Sequence, residues 1–264
     1  MDKIYLTVLS SSNYLKGVLV LYKSLKKVKS KYPLYVLLSD NINYDIELYL
    51  KSKGLFTIRV NNKLDVLKKI DDINKKAGNG RWSNTFYKLY IFGLIEFKKI
   101  IYLDCDMMVL SNMDELKGKP HMSAVQAGHS KKGNENWIKL NSGLMVIEPD
   151  IDLCKNLIRL AEKMIKESRN SIGDQDILHK YYEFWEKNNE LILDEKYNVF
   201  INYIDYYKNT LGYKDIKVIH FVGEDKPWLL DISRKVLKYV KLFFKMNFWE
   251  IYYLNSYYKY LNNI

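Results

Sequence analysis

The sequence predicts an α/β fold with a mostly parallel central sheet and helices on both of its faces. Three observations carry that expectation. Short apolar, β-branched runs alternate with longer segments whose apolar residues recur every three or four positions, the pattern of strand–helix–strand units. Polar, turn-forming clusters separate the two kinds of segment. The 264 residues are 48% hydrophobic and 28% charged, with 4 Pro and 12 Gly, which suits one large folded core and excludes disordered or collagen-like chains.

Lys3–Leu9 is short, apolar and β-branched and reads as a buried strand, stopped by Ser10-Ser11-Ser12-Asn13. Those polar residues can cap the helix predicted from Tyr14 to Lys29, which carries Leu15, Val18, Leu19, Tyr22 and Leu25 at helical spacing. Pro33–Leu38 reads as a second strand, Tyr44–Lys53 as a helix and Phe56–Val60 as a third strand. Asn61–Arg81 is lysine-rich, contains Ala77-Gly78-Asn79-Gly80, and reads as a loop or short helix with a mobile end. A helix over Asn84–Phe97 leads into the strand Lys99–Leu103; Met122–Val125, Leu144–Ile147 and Ile216–Ile219 are later strands. Asp152 is the expected cap of a helix reaching Ser168, with Leu153, Leu157, Leu160 and Ile165 on one side. No repeat or Pro/Ser linker interrupts residues 1–228, which form the expected single domain.

Residues 229–264 differ. They hold six basic residues (Arg234, Lys235, Lys238, Lys241, Lys245 and Lys259) against Asp231 and Glu250, a net +4. Arg234, Lys238, Lys241 and Lys245 make one helical stripe, and Leu237, Val240, Phe244, Phe248 and Ile251 another. This basic, aromatic tail fits either peripheral attachment to an anionic membrane or a helix packed on the core with its lysines solvated.

The whole chain has 42 Lys+Arg against 31 Asp+Glu, a net charge of +11. Nucleic acid, an anionic membrane surface and a phosphorylated small molecule all suit such a charge. Abundant Lys, Asn, Ile and Tyr also fit an AT-rich coding bias, so the charge alone selects none of them. Cys105 and Cys154 match no zinc spacing or disulfide framework and read as reduced thiols. The first residues lack the apolar core of a signal peptide, and no apolar run approaches the ~18 residues of a membrane span. The expected location is cytoplasmic, with the tail as a route to peripheral membrane contact.

Four constellations could carry chemistry. Asp104-Cys105-Asp106 places two carboxylates between apolar runs at the carboxyl end of a buried strand, the edge where open α/β sheets bind ligands. Carboxylates this close repel unless a cation joins them, and a hard divalent ion can also bridge to phosphate; solvated acids ending a strand are the plain alternative. His220-Phe221-Val222-Gly223-Glu224-Asp225-Lys226-Pro227-Trp228 offers an imidazole after a strand, a glycine for close backbone approach and a lysine for phosphate. A packed structural histidine would read the same way. Asn141-Ser142-Gly143 and Gly173-Asp174-Gln175-Asp176 supply amides and carboxylates suited to sugar hydroxyls, and are equally good turn and helix-start residues. Arg81 and Lys88 flank a helix start at Ser83-Asn84-Thr85 and could hold pyrophosphate, or be surface charges.

In order and spacing these segments match a known family. Leu6–Leu25 (LTVLSSSNYLKGVLVLYKSL), Phe86–Leu110 (FYKLYIFGLIEFKKIIYLDCDMMVL), Asn141–Pro149 (NSGLMVIEP), Gly173–Leu178 (GDQDIL) and His220–Trp228 (HFVGEDKPW) resemble the glycosyltransferase family 8 enzymes, most closely their glycogenin-like branch. The resemblance covers residues 3 to 228 and implies a GT-A fold: one nucleotide-sugar-binding domain that transfers a hexose from a UDP-sugar with retention.

Carried over residue by residue, the resemblance implies that Asp104, Asp106 and His220 hold Mn²⁺ or Mg²⁺. Val8, Ser10, Ser11 and Tyr14 would line the uracil and ribose pocket. Ser11 stands where glycogenin has an amide, so the base-pocket hydrogen bonds would differ. Lys88 would meet the donor phosphates or sugar, Gly223 and Lys226 the pyrophosphate, and Asn141, Asp174 and Gln175 the transferred sugar. Cys105, Ser142 and Gly143 lie within the same donor-binding motifs, and Arg81 falls in a loop that differs from glycogenin in length and pattern. Lys88, Asp174 and Gln175 are the implied catalytic residues, with Asp174 the nearest carboxylate for a covalent intermediate and same-face attack the favoured alternative. Tyr203, Tyr206 and Tyr207 lie where glycogenin glycosylates itself, although no single tyrosine carries over.

The expected donor is UDP-glucose and the expected acceptor a glycan or protein; a homodimer is also compatible. A UDP-galactose-dependent galactosyltransferase of surface glycans is the nearest rival, and a catalytically silent nucleotide-sugar binder the next. Nucleic acid is not expected as a partner, because no clustered recognition motif is present.

Overall fold

The computed structural model describes residues 2–60, 85–167 and 172–263. The loop or short helix expected over Asn61–Arg81 lies outside the described residues. Strand β1 (Lys3–Leu9) runs through the middle of a seven-stranded sheet. It pairs in parallel with β2 (Leu34–Leu38) on one side and with β4 (Lys99–Leu103) on the other. Beyond β2 lies β3 (Phe56–Arg59), again parallel. Beyond β4 come β7 (Asn141–Ile147), β6 (Ser123–Val125) and β8 (Ile192–Leu193), in that order. Four of the six pairings are parallel; β7 is antiparallel to both of its neighbours.

Both faces of β1 are buried, so its residues split by parity between two cores. Ile4, Leu6 and Val8 face the core under α3 (Ile151–Glu167). Tyr5 and Leu9 face the core under α1 (Leu15–Lys27), which buries Val18, Leu19, Leu21 and Leu25 at helical spacing. Burial of each such aliphatic side chain stabilises the fold by ~1.5–3 kcal/mol. Helix α2 (Tyr44–Ser52), capped by Asn43, covers the β3 side and joins it through the buried Glu47, which accepts hydrogen bonds from Thr57 and Arg59.

The topology explains why residues far apart in sequence meet. After β4 the chain turns at Asp104–Asp106 and leaves the large sheet as β5 (Met107–Val109). There β5 pairs antiparallel with β10 (Val218–His220), and β10 pairs in parallel with β9 (Val199–Phe200). His220 is thereby registered opposite Met107, one residue from Asp106. The antiparallel direction of β7 puts Asn141–Gly143 at the carboxyl end of β4, where the Asp104 N–H donates to Gly143 O at 2.8 Å. Helix α4 (Asp174–Tyr181) packs on β7 and α3 and begins at the same edge.

The structure corrects three expectations. Asn84–Phe97 is not an α-helix: the described part forms consecutive 3₁₀ turns over Thr85–Gly93. Phe86, Tyr87, Lys88, Leu89, Ile91 and Phe92 are all buried, so the segment has no solvent face around which an amphipathic helix could form. The cap of α3 is Asp150, whose carboxylate accepts from Leu153 N–H at 2.7 Å, while Asp152 pairs with Lys155 in the first turn. The tail is two helices rather than one, α6 (Ile232–Phe244) and α7 (Phe248–Leu261), broken at Met246, whose φ is +56°. Tyr253, Leu254 and Tyr257 of α7 are buried against Val20, Met108, Phe221 and Trp228, so α7 completes a third core beneath the small sheet. It also packs on α1 and on α5 (Ile204–Asn209). No helix among the described residues is long and apolar enough to cross a membrane, and Cys105 and Cys154 are free thiols.

Candidate functional site

A cleft of about 550 Å³ opens at the carboxyl edge of β1 and β4. Val8, Ser10, Ser11 and Tyr14 form one wall, and Asp104, Cys105 and Asp106 lie at its base. Asn141, Ser142, Gly143, Gly173, Asp174, Gln175, Asp176 and Lys88 form the other side, together with Tyr102, which the sequence did not single out. His220 and Lys226 adjoin the base through Asp106. Gly223 sits in the loop between them at φ +91°, with open space on its Cβ side. Arg81 lies outside the described residues.

Ligand atoms of Asp104, Asp106 and His220 all lie within 4.8 Å of one another. His220 Nε2 is 3.1 Å from Asp106 Oδ1 and 3.9 Å from Asp104 Oδ2. Two fixed backbone donors set the polarity of the whole group. Gly143 N–H donates to Asn141 Oδ1 at 3.0 Å, and Ser142 N–H to Gln175 Oε1 at 3.0 Å. Asn141 therefore turns its Nδ2 to Gln175 at 3.2 Å and accepts Asn198 Nδ2 on its oxygen at 2.8 Å. That leaves Asn198 Oδ1 facing His220 Nδ1 at 2.9 Å, so Nδ1 carries a proton. His220 therefore turns Nε2 towards both carboxylates, the side from which it could join them in holding a divalent cation. The donor set of two carboxylate oxygens and one imidazole nitrogen suits Mn²⁺ or Mg²⁺.

Gly143 is required by this packing. A Cβ there would lie 2.8 Å from His220 Cε1 and 2.9 Å from both Asn141 Oδ1 and Met107 Cε.

The buried charges are compensated. Lys88 Nζ reaches Asp174 at 2.8 Å, Asp104 at 3.1 Å and Ser142 Oγ at 3.1 Å, and Ser142 Oγ donates to the same Asp174 oxygen at 2.9 Å. Lys226 pairs with Asp106 and donates to Phe221 O at 2.7 Å. Burial opposes the charge of Lys88, but Asp104 and Asp174 hold its pKa above the ordinary lysine value. Burial would likewise raise Asp106, yet His220 and Lys226 hold it well below the carboxylate range. Asp104 is shifted the other way: burial raises it, Lys88 opposes, and the neighbouring charge of Asp106 adds to the rise. Burial, with both aspartates beside it, pushes the Cys105 thiol up.

Asn198 and Tyr102 are the site residues that sequence reading missed. Asn198 is fully buried in an irregular stretch with no periodicity to mark it. Tyr102 reads as an ordinary strand residue, although its hydroxyl donates to Asp104. Among the three tyrosines of the 203–207 segment, Tyr207 is fully buried and donates to Glu195, whereas Tyr203 and Tyr206 are half-buried.

The glycosyl transferase family 8 profile matches residues 5–231. Mouse glycogenin-1 is 29% identical over 237 residues, covering 86% of this chain and 66% of the mouse protein. Galactinol synthase 2 of Arabidopsis thaliana is 24% identical over 286 residues, covering 94% and 80%. The chain thus spans slightly less than two thirds of the length of mouse glycogenin-1. The solved galactosyltransferase LgtC, in complex with donor and acceptor sugar analogs, shares the fold with a TM-score of 0.63 at 15% identity, covering 100% of this chain and 96% of that one.

Proposed function

Since the chain belongs to glycosyl transferase family 8, we propose that it is a retaining hexosyltransferase that uses a UDP-sugar, UDP-glucose first, with Mn²⁺ at Asp104, Asp106 and His220. The observation that carries this reading is the meeting of those three side chains at the base of a cleft of about 550 Å³. UDP-galactose is the rival donor.

In this reading Val8, Ser10, Ser11 and Tyr14 receive the uracil and ribose. Trp228 braces Tyr14, with ring centroids 5.6 Å apart, and donates its indole N–H to Asn13 O at 2.7 Å. A bound divalent cation supplies positive charge to the departing diphosphate. Lys226, held over the Asp106 carboxylate, adds a fixed cation at the same end, and Lys88 adds another beside the sugar. Asn141 and Gln175 fix each other through their amides and offer their remaining polar atoms to sugar hydroxyls.

Asp174 bears on how configuration is retained. One of its oxygens is held by both Lys88 and Ser142, which draws off the electron density a nucleophile needs. That favours same-face attack: the acceptor oxygen bonds to the anomeric carbon as the bond to UDP breaks, and a leaving phosphate oxygen takes the acceptor's proton. A glycosyl ester trapped on Asp174 would instead establish double displacement.

The acceptor is read as external, a glycan or another protein. Intact-mass measurement after incubation with UDP-glucose and Mn²⁺ tests this, because self-glycosylation would add hexose-sized increments. Release of UDP across a panel of UDP-sugars with Mn²⁺ tests the donor: preferential turnover of UDP-glucose supports the first reading, and of UDP-galactose the rival.

A further inference from the structure

The sheet edge that holds the cleft continues past it. β1 runs parallel to β4, β7 runs against β4, β6 runs against β7, and β8 runs parallel to β6. The carboxyl ends of β1, β4, β6 and β8 and the start of β7 therefore share one edge. Along it, in strand order, come the Val8–Tyr14 wall, the Asp104–Asp106 turn, Asn141, the loop of residues 126–140, and Glu195.

That loop is held at several points. Glu195 is buried, and its carboxylate accepts Gly128 N–H at 3.2 Å, Ser130 N–H at 2.8 Å and the hydroxyls of Ser130 and Tyr207. Asn134 donates its side-chain amide to Gly128 O at 2.9 Å, and Trp137 N–H donates to Asn134 O at 2.8 Å. Gly128 has φ +85°, and a Cβ there would meet the rings of both Trp137 and Tyr203 at 3.2 Å, so the bare glycine lets the two rings close over it.

A row of rings connects this loop to the metal-ligand cluster. Phe200 meets His220 edge-on with centroids 5.6 Å apart, Tyr203 lies 5.9 Å from Phe200, and Trp137 lies 6.5 Å from Tyr203. His220 and Phe200 are buried, whereas Trp137, at the outer end of the row, is 46% exposed. A lone exposed indole signifies little. This one is fixed by Gly128, Asn134 and Tyr203, at the edge where the cleft lies.

We propose that Trp137 is a platform for the acceptor, stacking on a pyranose ring, so that the acceptor is a saccharide chain rather than a protein. This rests on the reading of the cleft as the donor site. The strand order places Trp137 on the far side of Asn141 from the nucleotide wall, where an acceptor approaches the transferred sugar. The C–H face of a pyranose is apolar and its rim carries hydroxyls, so it suits an indole flanked by polar side chains. Glu135, Asn136 and Lys139, all exposed, supply hydrogen-bond acceptors and donors around it in sequence. Among the described residues, Ile138 is the one other large apolar side chain that this loop exposes. That is far less apolar surface than a stable protein interface or a bilayer contact needs.

Saturation-transfer NMR on the full chain, loaded with UDP and Mn²⁺, tests the proposal against oligosaccharides of glucose, of galactose and of N-acetylglucosamine. At least one is expected to bind, with saturation concentrated on its ring C–H protons. Trp137→Ala is expected to weaken that binding about tenfold or more, and Trp137→Phe, which keeps a ring, to recover part of it. Calorimetric UDP affinity in the presence of Mn²⁺ should match wild type in both variants. Tyr44→Ala, at an exposed aromatic on α2, should change neither quantity. With the saccharide as acceptor, Trp137→Ala should raise its KM and leave the KM of the donor unaltered. Failure of every oligosaccharide to bind overturns the proposal, as does binding that Trp137→Ala leaves intact. A loss of UDP affinity in Trp137→Ala equal to its loss of saccharide affinity also overturns it. Wild type that binds saccharide through Trp137 but no UDP would uphold the saccharide site and overturn the donor reading instead.

Discussion

The Nδ1 of His220 is hydrogen-bonded to the side-chain oxygen of Asn198 at 2.9 Å, and the Asn198 amide nitrogen is held by Asn141 at 2.8 Å. Through Asn141 this link ends on Gly143 N–H, a donor that cannot flip. The imidazole is therefore held in the orientation that presents Nε2 to Asp104 and Asp106. Asn198→Leu should weaken Mn²⁺ binding by about 10- to 100-fold, the usual effect of removing the partner that orients a ligating histidine. Titration of Mn²⁺ followed by its paramagnetic resonance signal measures this directly, and a variant with wild-type affinity would show that Asn198 does not position His220.

Lys88 is the sole cation among the described residues that joins Asp104 to Asp174. Lys88→Met leaves the buried Asp174 and the part-buried Asp104 without their shared cation, which costs about 3 kcal/mol. Chemical denaturation should show that loss, and UDP release should fall with it. Lys88→Arg keeps the charge but cannot fit a planar fork into the space of an ammonium, so stability should recover more than activity.

Gly143→Ala would place a methyl group within 3 Å of His220, Asn141 and Met107. Overpacking here should lower stability by ~1–3 kcal/mol. It should also displace the imidazole, so calorimetry ought to find weaker Mn²⁺ binding together with a lower Tm. A fall in Tm with unchanged metal affinity would place the strain elsewhere.

Glu47 gives a pH dependence separate from the cleft. Hydrogen bonding from Lys51 leads the effects that lower its pKa; burial opposes, and Arg59 and Thr57 lower it further, to about 2 from an ordinary 4.5. The folded pKa lies below the unfolded one, so its contribution is complete above pH 4.5 and is lost as pH falls towards 2. Lys51 is half exposed, so solvent screens part of the interaction and ~1–2 kcal/mol is the expected contribution. Urea denaturation should show wild type losing that increment between neutral and acid pH, while Glu47→Gln shows a flatter profile.

The parallel half of the sheet was legible in the sequence because each of its strands is a continuous apolar run bounded by turn residues, as Lys3–Leu9 and Leu34–Leu38 show. Of the small sheet only β10 was legible, as the strand expected over Ile216–Ile219; β5 and β9 contain three and two residues, too few for any period to register. Phe86–Phe92 was expected within a helix over Asn84–Phe97, whereas tertiary packing surrounds the segment and it forms 3₁₀ turns. Asp104, Asp106 and His220 stood out by chemical type and by their apolar flanks. Asn198 and Tyr102 act through contacts between elements distant in sequence, and no local pattern encodes those. The tail's basic and apolar stripes were visible, but not the break at Met246 that divides it into an outward-facing helix and a packed one.

The most direct test is isothermal calorimetry of UDP binding, with and without Mn²⁺, on wild type and on Asp104→Ala. A nucleotide-sugar site with its metal at Asp104, Asp106 and His220 should bind UDP strongly only when Mn²⁺ is present, and Asp104→Ala should abolish the Mn²⁺-dependent part while the protein remains folded. Equal UDP affinity in wild type and variant, unaffected by Mn²⁺, would contradict the assignment of the metal and of the chemistry built on it.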